Sequence, residues 1–290
     1  MQKLLITHAL KFGIKLFKSA ASNLHMLAKK LDRIALITPA ERNILKRNAQ
    51  FRDKHKDKRA FVIVNGPSLK QQNIDMLENE ITFVVSGFFR HEVVKKWQPT
   101  YYSILDKNFF VDNEHTDFFF KQLNEVIKDS IFFIPLFRGW TANQNRKLLP
   151  LQNTYYIATA GDGNSELDMT EVVQSFHMVS AFALAQAIYM GCSPIYLLGF
   201  DHDYLANRGV DQHFYTGGTI PGMAGTTVTL AERIPYDTEI KAYLKLWKNY
   251  RSLARIAKKR GIKIYNATKG GYLDVFDRFD FESLFKGNGN

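Results

Sequence analysis

The chain has 290 residues, 46% of them apolar and 23% charged, which is the composition of one large globular domain or two small ones and not of a disordered protein. A single cysteine, Cys192, excludes a disulfide framework and a cysteine-based zinc site. The formal net charge of +11 is confined to residues 1–60, which hold 15 Lys/Arg against 4 Asp/Glu, while the rest is balanced at 24 against 24. A nucleic-acid binder would carry basic residues on its own folded face, so the charge argues against that partner for the body of the chain.

Residues 1–50 read as helical. Lys11, Lys15 and Lys18 recur at i, i+4 and i+7, with Leu5, Ala9, Phe12 and Leu16 on the opposite face. A basic amphipathic helix of this kind suits an anionic membrane surface, here the inner face of the cytoplasmic membrane; a helix docked on the body with its lysines in solvent is the plain alternative. The start of the chain lacks a cleavage site of the secretory type, and no run of about 18 apolar residues exists to span a bilayer. The expected location is therefore cytoplasmic, peripheral to that membrane. Residues 52–59, RDKHKDKR, read as a solvated linker, so that 1–58 form an extension and 59–290 the body.

Short runs rich in β-branched and aromatic residues predict strands at 60–64, 81–86, 101–105, 131–137, 155–159, 195–198 and 263–266. Helical patterns fall between several of them, at 171–190, closed by Gly191, and at 239–259, where Ile240, Tyr243, Leu244, Trp247, Tyr250, Leu253 and Ala257 keep a 3.6-residue period up to Gly261. Strands alternating with helices predict an α/β, Rossmann-like, doubly wound and mostly parallel sheet.

In such sheets ligands bind outside the carboxyl ends of the strands. The first core strand runs into Asn65-Gly66-Pro67-Ser68. There Gly66 allows close approach of a ligand and Ser68 can cap a following helix, whose free N–H groups favour an anion. The Gly-Lys-Ser/Thr end of a Walker loop is missing, as is GxGxxG. Ser86-Gly87 end the second strand and Asp106 the third; an Asp there is most often a helix cap. Residues 161–165, GDGNS, read as a turn, and His177 as a structural residue.

The densest chemistry follows the strand at 195–198: Asp201, His202, Asp203 and Tyr204, then Asp211, His213 and Tyr215. A carboxylate or a near-neutral histidine here can take a proton from an attacking hydroxyl, and Asp201 with Asp203 can bridge a divalent metal. His213, Asp201, His202, Asp203 and Tyr215 are the candidate catalytic residues. The glycine- and threonine-rich stretch 216–229 reads as a mobile lid within a loop of about 204–235, with Arg233 and Tyr236 placed to steady a leaving phosphate.

VIVNGPSL near the start of the body, with SAFALAQAIYMGCSPIYLLGFDHDY further on, resembles the pattern of glycosyltransferase family 42 sialyltransferases. It also resembles the DUF115 group, which includes motility-accessory-factor glycosyltransferases and an archaeal pterin diphosphokinase. DTEIKAYLKLWKNY followed by GIKIYNATKGG is similar to their closing helix and strand, so the resemblance covers roughly residues 60–275. It implies a GT-A-like variant of the fold and a nucleotide-sugar donor, best a CMP-sugar. Asn65, Gly66, Pro67, Ser68 and Ser180 match donor-side positions, joined in the same crevice by Ser86, Gly87 and Asp106. The sialyltransferases place a histidine base shortly before the Asp/Thr-Ile-Lys helix; here that stretch is ERIPYDTEIKA, without histidine, which passes the role to His213 or to Asp201.

The resulting expectation is a glycosyltransferase of bacterial surface-glycan biosynthesis acting on a glycan, lipid-linked or protein acceptor, with a homo-oligomer left open. No cofactor is firmly expected, although a divalent metal on Asp201 and Asp203 stays open. The alternatives are a Mg-ATP-dependent diphosphokinase with Asp106, Asp201 and Asp203 as ligands, and a non-catalytic glycan-assembly factor working through residues 1–59.

Overall fold

The structure is a computed structural model. It describes residues 14–17, 20–21, 24, 28, 35–161, 166–207, 210, 212–216 and 235–286. The chain divides into two compact units, Met1–Asn43 and Ile44–Asn290.

In the first unit, residues 14–17 are helical, and Lys15 and Leu16 are both exposed. Lys11, Lys18, Leu5, Ala9 and Phe12 lie outside the described residues. Helix α1, Pro39–Lys46, which begins in this unit and ends in the next, starts with a reciprocal cap: the Glu41 amide donates to Thr38 Oγ1 at 3.2 Å and the Thr38 amide to Glu41 Oε2 at 2.8 Å. No helix among the described residues is long and apolar enough to cross a membrane.

The second unit is built on an eight-stranded parallel sheet in the order β5-β4-β3-β2-β1-β6-β7-β8, which gives the α/β, Rossmann-like fold that the sequence predicts. The strands are β1 Ala60–Ile63, β2 Ile81–Val85, β3 Tyr101–Ser103, β4 Ile131–Pro135, β5 Thr154–Ile157, β6 Ile195–Leu198, β7 Ile264–Asn266 and β8 Asp277–Arg278. β1 (AFVI) and β6 (IYLL) are buried at every position, as central parallel strands covered on both faces must be. Ala60 pairs with Ile81 on one side and with Ile195 on the other.

From β1 the chain winds outward through β2 to β5, then returns to lay β6 on the opposite edge of β1. The switch in winding direction falls between β1 and β6, and this opens a crevice at their carboxyl ends.

One face of the sheet presents Ala60, Val62, Phe83, Val85, Tyr101, Ile195 and Leu197 to helix α4, Val179–Tyr189, which is buried from Ser180 to Tyr189. Helix α5, Tyr236–Lys259, packs on α4 through Leu246, Tyr250 and Leu253. A buried bond from Ser103 Oγ to Gln186 Oε1, 2.9 Å, ties β3 to α4. On the other face, Phe61 meets Phe281 and Phe285, Tyr196 meets Phe279, and Ile134 lies under Gly139 of helix α3, Gly139–Arg146.

Three departures from the sequence expectation have clear causes. Residues 171–178 are not helical, because Val173 bridges Thr159 and the Ser175 amide donates to Gly161. Helix α2, Glu114–Val126, capped by Asn113, was not predicted. Residues 52–59 are solvated, with only His55 part-buried, but they are not a free linker: the amides of Asp53, His55 and Asp57 donate to the carbonyls of Tyr189, Met190 and Gly191, and Arg52 and Arg260 pair with Asp168 and Asp53.

Candidate functional site

Two loops form the floor of the crevice. β1 empties into Asn65-Gly66-Pro67-Ser68 and β6 into Gly199-Phe200-Asp201-His202. They are locked to each other by Ser68, whose amide donates to Asp201 Oδ1 at 3.0 Å and whose hydroxyl donates to Oδ2 at 2.7 Å. The Gly66 amide donates to the Gly199 carbonyl at 3.1 Å, and a Cβ on Gly66 would collide with both the Asp201 carboxylate and that carbonyl. Here glycine is required by close packing. Ser68 therefore serves as a clamp on Asp201 within a short 3-10 turn, Pro67–Gln71, instead of capping an α-helix.

Asp201 is 7% exposed, and burial raises its pKa even though the Ser68 bonds pull the other way. His202 takes a left-handed backbone (φ +49°), is buried, and holds Nε2 2.7 Å from Tyr250 Oη. Burial pushes its pKa down to about 3, so the ring is neutral at physiological pH. Asp203 accepts from Asn207 Nδ2 at 2.6 Å, and its carbonyl accepts from the Ala206 and Asn207 amides. Among the described residues no cluster of three His, Cys, Asp or Glu side chains is placed to hold a metal ion.

The second wall comes from β2. Ser86 (φ +44°) and Gly87 open a 3-10 turn, Ser86–Arg90, pinned by Tyr102, whose hydroxyl donates to the Ser86 carbonyl at 2.6 Å. Against it lies the segment that carries His213. The Phe214 amide donates to the Asn65 carbonyl at 2.8 Å, and Asn65 Nδ2 reaches the Tyr215 hydroxyl at 3.4 Å. That hydroxyl occupies the space where a Cβ on Gly87 would stand.

His213 stacks on the Tyr215 ring at 4.9 Å and 20°, and the Arg90 guanidinium lies 4.8 Å over the same ring. Arg90 is half-buried, and burial lowers its pKa against the opposing pull of Tyr215. Ser180, in the first turn of α4, lies 2.7 Å from Tyr250 Oη.

The predicted residues Asn65, Gly66, Ser68, Gly87, Asp201, His202, Ser180, His213 and Tyr215 are thus joined through direct contacts or through Tyr250, with Pro67 and Ser86 beside them as chain neighbours. Asp106 is exposed and caps the turn Lys107–Phe110 through the Asn108 amide. Tyr236 begins α5 with about half its surface exposed. Arg233, Asp211 and the glycine-rich stretch from 217 to 229 lie outside the described residues. Arg90 and Tyr250 were not predicted. Arg90 was findable as the first cation after the Ser86-Gly87 exit; Tyr250 was absorbed into the apolar period of its helix.

Among the described residues, three buried polar atoms of these loops have no hydrogen-bond partner: Asn65 Oδ1, His202 Nδ1 and Asp203 Oδ1. Such orphans are rare in folded proteins, and a cleft that awaits a ligand is one setting that explains them.

No family model matches the chain, and no curated protein matches it. Among solved structures it is similar to the MAf glycosyltransferase from Magnetospirillum magneticum AMB-1, with 12% identity, a TM-score of 0.49 and 80% of this chain covered. The chain spans only 35% of the length of that protein. It is also similar to the sialyltransferase CstII from Campylobacter jejuni in complex with the substrate analogue CMP-3FNeuAc, with 14% identity, a TM-score of 0.45, and 77% of this chain and 86% of that one covered. The CST-II complex with a trisaccharide acceptor and CMP gives 15% identity, a TM-score of 0.43 and the same coverage.

Proposed function

We propose that the protein is a glycosyltransferase that binds a nucleotide sugar in the β1/β6 crevice, with a CMP-sugar as donor. The observation that carries this reading is the buried Asn65 Oδ1 at the switch point, without a partner among the described residues and held between the Ser68–Asp201 clamp and Tyr215. It is an acceptor set for a ligand hydroxyl or amine, in the place where doubly wound folds bind nucleotides. The order of the NGPSL and GFDHDY motifs supports the same reading.

In this mechanism His213 takes the proton of the acceptor hydroxyl as its oxygen bonds to the anomeric carbon. The bond from that carbon to the nucleotide phosphate breaks, and the phosphate leaves with the electron pair. Arg90, with the Tyr215 hydroxyl, offsets the negative charge that develops on it. Asp201 serves as the clamp, with both its oxygens accepting from Ser68. In this reading donor binding rests on hydrogen-bond donors and Arg90, and no step is assigned to a divalent ion. The acceptor is a glycan, a lipid-linked glycan or a protein, and the basic segment before the body holds the enzyme at the inner membrane face.

The test is incubation with CMP-N-acetylneuraminate, UDP-glucose, GDP-mannose and ATP, each with and without EDTA, with release of free nucleotide as the readout. Release of CMP that is insensitive to EDTA is expected. Mg-dependent turnover of ATP with no release from any nucleotide sugar would replace this reading with the diphosphokinase.

A further inference from the structure

His202, Tyr250 and Ser180 form one continuous hydrogen-bonded chain that runs from the exit of β6, through α5, to the first turn of α4. His202 Nε2 lies 2.7 Å from Tyr250 Oη, and Tyr250 Oη lies 2.7 Å from Ser180 Oγ. The three side chains are 6%, 0% and 4% exposed. His202 reaches its place through a left-handed backbone, which is uncommon for a residue with a Cβ. Its Nδ1 is buried and has no partner among the described residues.

A neutral imidazole carries one N–H, so the chain can run in either of two directions. With the proton on Nδ1, a buried donor would have no acceptor; Nε2 would accept from Tyr250, and Tyr250 would accept from Ser180. With the proton on Nε2, the orphan at Nδ1 is only a lone pair. Nε2–H then donates to the Tyr250 oxygen, Tyr250 O–H donates to Ser180, and the proton of Ser180 is turned away toward a third partner. Orphaned buried donors are rarer in folded proteins than under-satisfied acceptors, which selects the second arrangement. Among the described residues the Ser180 hydroxyl has no second partner. It stands in the first turn of α4, which has no side-chain cap and runs antiparallel to the strands from their carboxyl ends.

We propose that His202 and Tyr250 are positioning residues that fix Ser180 as a hydrogen-bond donor to an anionic oxygen of the ligand in the crevice. That oxygen belongs either to the nucleotide phosphate or to a carboxylate on the transferred sugar. The ligand half of the proposal rests on the nucleotide-sugar reading; the direction of the chain does not.

Two measurements test it. Long-range proton–nitrogen NMR of the histidine rings in the full chain reads the tautomer directly. The Nε2–H form of His202 is expected, and the Nδ1–H form overturns the proposal whatever ligand the protein takes. Calorimetry with CMP, CMP-N-acetylneuraminate and UDP-glucose then tests the ligand half. Ser180→Ala and Tyr250→Phe are each expected to weaken binding roughly 10- to 100-fold, the loss of one hydrogen bond to a charged group. The double variant should bind no worse than Ser180→Ala alone, because Tyr250 acts through Ser180. His202→Gln, which keeps an N–H near the Nε2 position, should recover binding relative to His202→Leu.

Additive losses in the double variant would show a merely structural tyrosine and overturn the proposal. A loss already present with CMP assigns the oxygen to the phosphate, and a loss confined to CMP-N-acetylneuraminate assigns it to the carboxylate. If the unaltered protein binds none of the three, the nucleotide-sugar reading and the ligand half fall together, while the NMR result still decides the direction of the chain. Should Tyr250→Phe fail to fold, the tautomer together with Ser180→Ala decides.

Discussion

Ser68 and Asp201, 133 residues apart in the chain, are joined by two hydrogen bonds, with the Ser68 amide and hydroxyl each donating to one carboxylate oxygen. Replacing Asp201 with alanine would strand two buried donors. We expect a loss of about 2–4 kcal/mol in urea unfolding, with roughly half of that recovered in Asp201→Asn, which keeps one acceptor. Nucleotide binding should fall in step, because the clamp shapes the Asn65–Ser68 turn. Unchanged stability in Asp201→Ala would show that the clamp is dispensable.

Two glycines of the crevice should respond differently to the same added methyl. In Gly66→Ala the methyl meets the Asp201 carboxylate and the Gly199 backbone, neither of which can retreat without breaking the clamp. A cost on the order of 3 kcal/mol or more is expected. In Gly87→Ala it meets only the end of the Tyr215 side chain, which can swing aside. Stability should change by less than about 1 kcal/mol, while binding suffers from the displaced Tyr215. Thermal unfolding and calorimetry of the two variants separate these outcomes.

The depressed pKa of His202 has a defined pH signature. An unfolded chain protonates this residue near the ordinary histidine value, whereas the folded one resists until about pH 3. The unfolded state therefore binds more protons between these limits, and stability present above about pH 6.5 is lost as the pH falls toward 3. The contribution is on the order of 3 kcal/mol or more. Replacing His202 with glutamine should flatten the stability profile between pH 6.5 and 3; an unaltered slope would assign the effect to other groups.

His213 and Arg90 should affect turnover more than folding. His213→Ala is expected to lower kcat by roughly 10²- to 10⁴-fold, the usual worth of a general base, with the melting temperature little changed. If instead kcat persists and only KM rises, His213 is a binding residue and the base lies elsewhere.

Arg90→Gln should weaken nucleotide binding about tenfold or more and reduce its salt dependence, since a cation is lost from a partly desolvated site. Titrations at two ionic strengths check this. Equal salt dependence in both proteins would exclude Arg90 from the phosphate contact.

The sheet was legible because central parallel strands are buried on both faces and read as unbroken apolar runs. AFVI and IYLL are the plainest cases, and the chemistry sits directly after them. β8 escaped because it is two exposed polar residues, Asp277 and Arg278, whose pairing with Tyr265 and Asn266 leaves no pattern. Residues 171–178 carry a helical period but spend their backbone groups on Thr159 and Gly161, a tertiary choice that periodicity cannot register. RDKHKDKR looks solvated by composition, yet its amides find the carbonyls left open at the end of α4. In the site, residue types announced Asp201 and His202, but what each does depends on Ser68 and Tyr250, far away in the chain. Tyr250 shows the limit most clearly: as an apolar helix position it is unremarkable, and only its hydroxyl distinguishes it.

The position of β1 has a consequence for biogenesis. The first strand of the sheet to be synthesised is also the one that must be flanked on both sides, and its second neighbour, β6, follows only after four other strands have been made. Until then an apolar edge with open amides and carbonyls stands ready to pair with any other extended chain. The crevice is completed later still, when Tyr250 and the Gly271–Tyr272 backbone reach His202 and Asp201. A nascent chain stalled before Ile195 would therefore present the open β1 edge and be a natural client for chaperones, whereas one stalled between Leu198 and Gly271 would have that edge covered yet lack a finished site.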